Sequence, residues 1–191
     1  MPGASALGVF ALAALALIVV PGPDVLFVVA QALERGRRAG LVSALGTATG
    51  TLVHVAAATV GLSALLASSA TLFEVVKLVG AAYLVLLGVQ RLLGRVYRRA
   101  VVVAVLNPKT ALFFLAFLPQ FVHVGHGPAA LQILTLGAVF TAIGLVSDSA
   151  YATLAGAAGS RFRGRAAERV RRYVTGTTLV GLGIAAARAE R

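Results

Sequence analysis

Apolar residues run along the chain in six long blocks, near 6–32, 40–66, 70–92, 101–122, 129–157 and 173–188, with polar residues gathered between them. Each block is close to the 20 or so residues that a helix needs to cross the hydrocarbon core of a bilayer. None of them shows the strict alternation of a half-buried strand. The pattern predicts an all-α integral membrane protein with six transmembrane helices in a single transmembrane domain over residues 1–191.

Two of the blocks carry an internal break. The first is interrupted by Pro21-Gly22-Pro23, with Asp24 directly behind it. Proline lacks the amide donor and clashes with the preceding turn, so a helix through this block must break. The fourth block holds Asn107-Pro108-Lys109. Asparagine is a strong N-cap and proline suits the first helical position, so a new helix is expected to start here in mid-membrane and run to Phe121. Lys109 falls in its first turn, where a cation opposes the helix dipole, so helix stability does not explain it. Irregular backbone at membrane depth is tolerated only where it faces protein or a wet cavity.

Composition agrees with the pattern. The 191 residues are 59% hydrophobic and 12% charged, far from the balance of a soluble domain. A formal charge of +11 raises nucleic acid as a partner, but the arginines lie in short clusters between apolar blocks instead of on one face. Nucleic acid is therefore excluded, and anionic headgroups of the bilayer are the expected partners of those clusters. Cysteine is absent, which removes disulfides, thiolate metal sites and thiol redox chemistry.

The clusters also set orientation. Arg35, Arg37 and Arg38 follow the first block. Arg91, Arg95, Arg98 and Arg99 surround the third loop, and Arg161, Arg163, Arg165, Arg169, Arg171 and Arg172 fill the fifth. The loops at Ser68-Ser69 and His123–Gly127 carry no Lys or Arg. The positive-inside rule then places both termini outside the cytoplasmic membrane. No Lys or Arg precedes the first block, so residues 7–30 read as a permanent span and not as a cleaved signal.

Further polar groups lie inside the blocks. In the second, Gly40, Ser43, Thr47, Gly50, His54, Ala57 and Gly61 share one face, a pattern of close helix packing. His54 sits near the middle of that span, where it serves either as a hydrogen-bonded structural group or in a direct role. Glu74 and Lys77 in the third block are spaced to pair on one helix face. The fifth holds Ser147, Asp148, Ser149 and Tyr151, and the sixth a run of small residues suited to packing. Intramembrane charges mark pathways or sites by default.

The chain divides near residue 96 into three blocks and three blocks, so the second half (97–191) is expected to be inverted relative to the first (1–96). Each half opens with a proline-broken helix followed by Leu-Phe, at Leu26-Phe27 and Leu112-Phe113. Broken helices at corresponding places in two halves point to a transporter's midplane site. The chain resembles the lysine-exporter (LysE/RhtB) superfamily of small amino-acid efflux proteins. The resemblance rests on Pro21-Gly22-Pro23, the Gly46/Gly50/His54 face, Asn107-Pro108-Lys109 with Phe113-Phe114, and Phe117–Phe121. It implies six spans, export of amino acids or their derivatives, proton-coupled antiport, a homodimer and no cofactor. One departure is the short basic segment before Asn107, where Arg99 runs almost directly into Val101.

The expected site places the two breaks across one polar cavity. The capped helix start at Asn107, with Lys109, would take a substrate carboxylate. The carbonyls freed before Pro21, with Asp24, would take the amino group, and Asp24 or Asp148 the driving proton. His54, Tyr151 and Phe113 complete the candidate substrate-binding set. A divalent metal-ion exporter using Asp24, His54 and Asp148 is the alternative, opposed by the cation at Lys109. Enzyme readings fail on geometry: Gly61-Leu62-Ser63 lacks the trailing glycine of a nucleophile turn, and Asp24 with Asp148 lacks a protease's flanking motif.

Overall fold

The computed structural model describes residues 2–66, 94–123 and 125–161. The third and sixth blocks, with Glu74, Lys77 and the arginines after Arg161, lie outside the described residues.

The first block forms two helices, α1 (Ala4–Val19) and α2 (Pro23–Arg35), bent by 53° at the break. Val20 and Gly22 are extended, and Pro23 opens α2 at its first position. Gly36 closes α2 with φ +88° and donates its N–H to Ala32 O, a left-handed cap that only glycine adopts freely. The second block is α3 (Arg37–Leu66), 30 residues without a break. The fourth is again bent, by 45°, between α4 (Gly94–Val105) and α5 (Pro108–Phe121). Within α5 the regular α-turns end at Leu112, a π-turn spans Phe113–Phe117, and 3₁₀ geometry follows over Leu118–Phe121. Pro119, lacking an N–H, prevents a regular helix from continuing through that last stretch. The fifth block is α6 (Ala129–Arg161), 33 residues long. Among the described residues there is no strand.

The fourth block starts earlier than its apolar residues suggest. Among the described residues helix is already present at Gly94 and not only from 101, so Arg95, Arg98 and Arg99 lie on α4 itself. Long arginine side chains reach back toward the interface from a helical start, which apolar counting alone does not detect.

α3 and α6 run antiparallel as the central pair. Gly40 meets Ala152, Thr47 meets Asp148, Val55 meets Gly137, and Arg37 meets Gly156 along their length. Polar side chains are buried beside an apolar core, and large apolar ones face outward. Ser43, Thr47, Thr59, Asn107, Thr110, Gln132 and Asp148 are buried, while Leu106, Leu115, Val146 and Leu154 are exposed. Lipid has no preference for hiding apolar groups, so such helices are held by close packing and internal hydrogen bonds.

The small-residue face of α3 supplies that packing. A Cβ at Gly46 would lie 2.6 Å from Ala100 Cβ, and one at Gly50 would lie 2.5 Å from Ala104 Cβ. α3 and α4 therefore approach with glycine against alanine. Gly50→Ala is expected to cost about 1–3 kcal/mol through overpacking. Gly8→Ala, where a Cβ meets nothing within 4 Å, should stay within about 0.5 kcal/mol. Melting of the detergent-solubilised protein distinguishes the two, and equal melting temperatures would remove this packing account.

Candidate functional site at two helix breaks

A proline in a helix leaves the carbonyl four residues earlier without its donor. Pro21 and Pro23 therefore release the oxygens of Leu17 and Val19, and Pro108 leaves Ala104 O with the N–H of Asn107 at 3.2 Å as its main-chain donor. Each of these is taken by a side chain from the other half of the chain. Lys109 Nζ donates to Leu17 O at 2.8 Å and to Val20 O at 2.6 Å. Tyr151 Oη donates to Val19 O at 3.0 Å. His54 Nε2 lies 3.1 Å from Ala104 O and donates to it, which puts an imidazole proton on Nε2. These bonds tie the end of α1 to α5 and α6, and the end of α4 to α3.

Lys109 thus lies at the negative end of the α1 dipole, which explains a cation that its own helix disfavours. Its contacts are main-chain carbonyls, and neither Asp24 nor Asp148 comes within ion-pair distance of it. Both carboxylates still attract the ammonium through space. Asp24 Oδ1 accepts from Val25 N at 2.9 Å in the first turn of α2. A methyl group on Gly22 would lie 3.0 Å from Asp24 Oδ1 and 3.3 Å from Lys109 Nζ, so both charged groups flank the bare backbone of Gly22.

Asp148 is 5% exposed and receives Thr47 Oγ1 on its Oδ2 at 2.6 Å. The same hydroxyl lies 2.9 Å from Ala44 O. One hydroxyl carries one proton, so Thr47 serves only one of these acceptors at a time.

Asp24, Thr47, Thr51, Lys109, Thr141 and Asp148 line a cavity of about 20 Å³, together with the apolar Ile18 and Phe140. That is room for about one water molecule. At that volume the cavity is too tight for an amino acid.

The remaining candidates sit around this cavity and not in its wall. Asn107 caps α5 as expected, its Oδ1 accepting Lys109 N at 3.1 Å. That amide is consequently not free for a ligand. Asn107 Nδ2, by contrast, is buried without a hydrogen-bond partner, an uncommon state for a polar group. Phe113 belongs to an aromatic cluster with Phe10, Phe114, Phe117 and Phe140. His54 stacks on Phe114 with ring centroids 6.0 Å apart, away from the two carboxylates. Asp24, His54 and Asp148 do not converge into a ligand set, and no group of three His, Asp or Glu able to hold a metal occurs among the described residues. The metal-exporter alternative is not favoured.

Four threonines in the cavity wall, Thr47, Thr51, Thr110 and Thr141, were not singled out by sequence. Thr47 alone had a signal, its place on the small-residue face of α3.

The profile of the family described as LysE type translocator matches residues 15–190. The chain belongs to the LysE translocator family. It is 32% identical to the homoserine/homoserine lactone efflux protein of Salmonella typhimurium, over 71% of this chain and 73% of that protein. It is 30% identical to the leucine efflux protein of Salmonella choleraesuis, over 58% and 60%. An uncharacterized membrane protein of Bacillus subtilis, YrhP, is 28% identical over 88% and 91%. No solved structure matches the chain. The LysE translocator is a membrane transporter and not an enzyme, and its described helices fit that class.

Proposed function

We propose that this LysE family translocator exports amino acids or their derivatives across the cytoplasmic membrane, exchanging them for protons. The observation that carries the reading is the meeting of two helix breaks at one cavity that holds two acids and one base. The relatives' names narrow the chemistry. Homoserine, its lactone and leucine share a primary amine, whereas the lactone has no free carboxylate. The amine is therefore the group the site must recognise in every case.

In this reading the carbonyls freed at the end of α1, with Asp24, receive the substrate ammonium. Lys109 and the unpaired Nδ2 of Asn107 supply donors for a carboxylate when one is present. Tyr151 and His54 hold the two breaks open by occupying Val19 O and Ala104 O, and Phe113 seals the outward side through its aromatic cluster. The π-turn at Phe113–Phe117 supports that role, because such turns are frequent at functional sites. Asp148 is the proton carrier. A proton on its carboxyl lets the Asp148–Thr47 and Thr47–Ala44 contacts both be hydrogen bonds, which the ionised form does not allow.

The same geometry supports two inverted three-helix repeats. Pro23 and Pro108 both open the second helix of a bent span, and the carbonyls four residues before them are both taken from the long helix of the opposite half. With arginines on the first, third and fifth loops, both termini then lie outside. Single cysteines in this cysteine-free chain test the orientation: Gly125→Cys should react only from outside and Arg163→Cys only from the cytoplasm. Reversed labelling at both positions would invert the account.

The function itself is tested by reconstituting the purified chain in vesicles loaded with labelled homoserine, homoserine lactone or leucine, and by following loss of label against an imposed pH gradient. Gradient-dependent loss of at least one amine is expected. Transport that requires a divalent cation, or no transport of any amine, would replace this reading.

A further inference from the structure

Resting on the export reading, we infer that Lys109 is a tethered substitute for the substrate's ammonium. It occupies the amine site when the transporter is empty and is displaced from it when substrate binds.

The carbonyls of Leu17 and Val20 point at one primary ammonium, at 2.8 Å and 2.6 Å. A third carbonyl beside them, Val19 O, is held by Tyr151 Oη. Asp24 Oδ1 and Lys109 Nζ both lie beside the position that a Cβ of Gly22 would take, at 3.0 Å and 3.3 Å from it. Main-chain oxygens at a helix C-terminus with a nearby carboxylate form a cation site, and a primary ammonium with three donors fits it in charge and geometry. The cation present is the protein's own. The cavity beside it admits about one water, so no room exists for a second ammonium until Lys109 leaves.

The exchange conserves charge at the site. One ammonium replaces another at the same oxygens, so the carbonyls of Leu17 and Val20 keep a donor at both stages. Displaced Lys109, two residues from Asn107, is then free to meet the carboxylate of a zwitterionic substrate. A substrate without an amine has nothing with which to displace it. The site therefore discriminates against neutral and purely anionic compounds.

The test uses Lys109→Ala, which removes three carbons and the ammonium, and n-propylammonium, which restores them. Thermal unfolding of the full chain in detergent is followed with n-propylammonium, with tetramethylammonium, which has no N–H donor, and with n-propanol. The expected result is a saturable rise of several degrees for Lys109→Ala with n-propylammonium alone, and none for the wild-type chain. If Lys109→Ala is recovered unfolded, it is solubilised with n-propylammonium present, which is expected to restore folded protein where tetramethylammonium does not. A rise of equal size in the wild-type chain, an equal effect of tetramethylammonium, or no rise in the folded variant would overturn the inference. No transport step enters the measurement. Amine binding to the variant without efflux by the wild type would remove only the export reading, and efflux without amine binding only the tethered substitute.

Discussion

Lys109→Met is expected to abolish efflux and to destabilise the chain by about 1–3 kcal/mol, because a half-buried ammonium is taken from two main-chain carbonyls. Two main-chain acceptors lose their donor at once, each left unsatisfied at about 1–3 kcal/mol where no water replaces it. Adding Asp24→Asn should recover part of the loss, because one uncompensated carboxylate disappears, but not all of it. The oxygens of Leu17 and Val20 remain unpaired in the double variant. A double-mutant cycle on melting temperature measures this, since coupled residues depart from additivity by about 0.5–3 kcal/mol. Full recovery in the double variant would make the carbonyl contacts irrelevant, and strict additivity would remove the electrostatic link between Lys109 and Asp24.

Asp148→Asn should separate coupling from folding. Asparagine donates from its amide to Thr47 Oγ1, keeps the shape of the carboxylate and cannot release a proton. Burial of a neutral group in place of an acid does not penalise the fold, so the melting temperature should stay close to that of the wild-type chain. Efflux against a gradient should fall to the level of protein-free vesicles, while exchange of labelled for unlabelled substrate across the membrane continues. Undiminished uphill efflux by Asp148→Asn would move the proton to Asp24 and make the Thr47–Asp148 bond purely structural.

The breaks were legible because proline acts locally. Pro21, Pro23 and Pro108 each remove an amide regardless of what surrounds them, and Asn107 caps the helix beside it. The small-residue contact of Gly46 and Gly50 was legible for a similar reason, since close approach demands a missing side chain. The partners of Lys109 were not legible. They are main-chain oxygens 92 and 89 residues away, and a carbonyl carries no sequence signature. Acids are the counter-charges that a sequence makes visible, and Asp24 and Asp148 stand out in it where a carbonyl does not. Thr47 was hidden by its own commonness, since threonine on a helix-packing face needs no special role. The π-turn in α5 was hidden too, because Phe113–Phe117 is apolar in any hydrogen-bond register. The early start of α4 escaped because its first turns carry Arg95, Arg98 and Arg99, and charged turns do not count toward an apolar block.

The most direct measurement of the central claim is efflux from vesicles containing only this chain. They are loaded with labelled leucine, homoserine or homoserine lactone, and the rate is compared with and without a pH gradient. The account predicts loss of at least one amine, faster when protons are driven inward in exchange and abolished in Lys109→Met. A rate that is indifferent to the gradient and unchanged in Lys109→Met would contradict it.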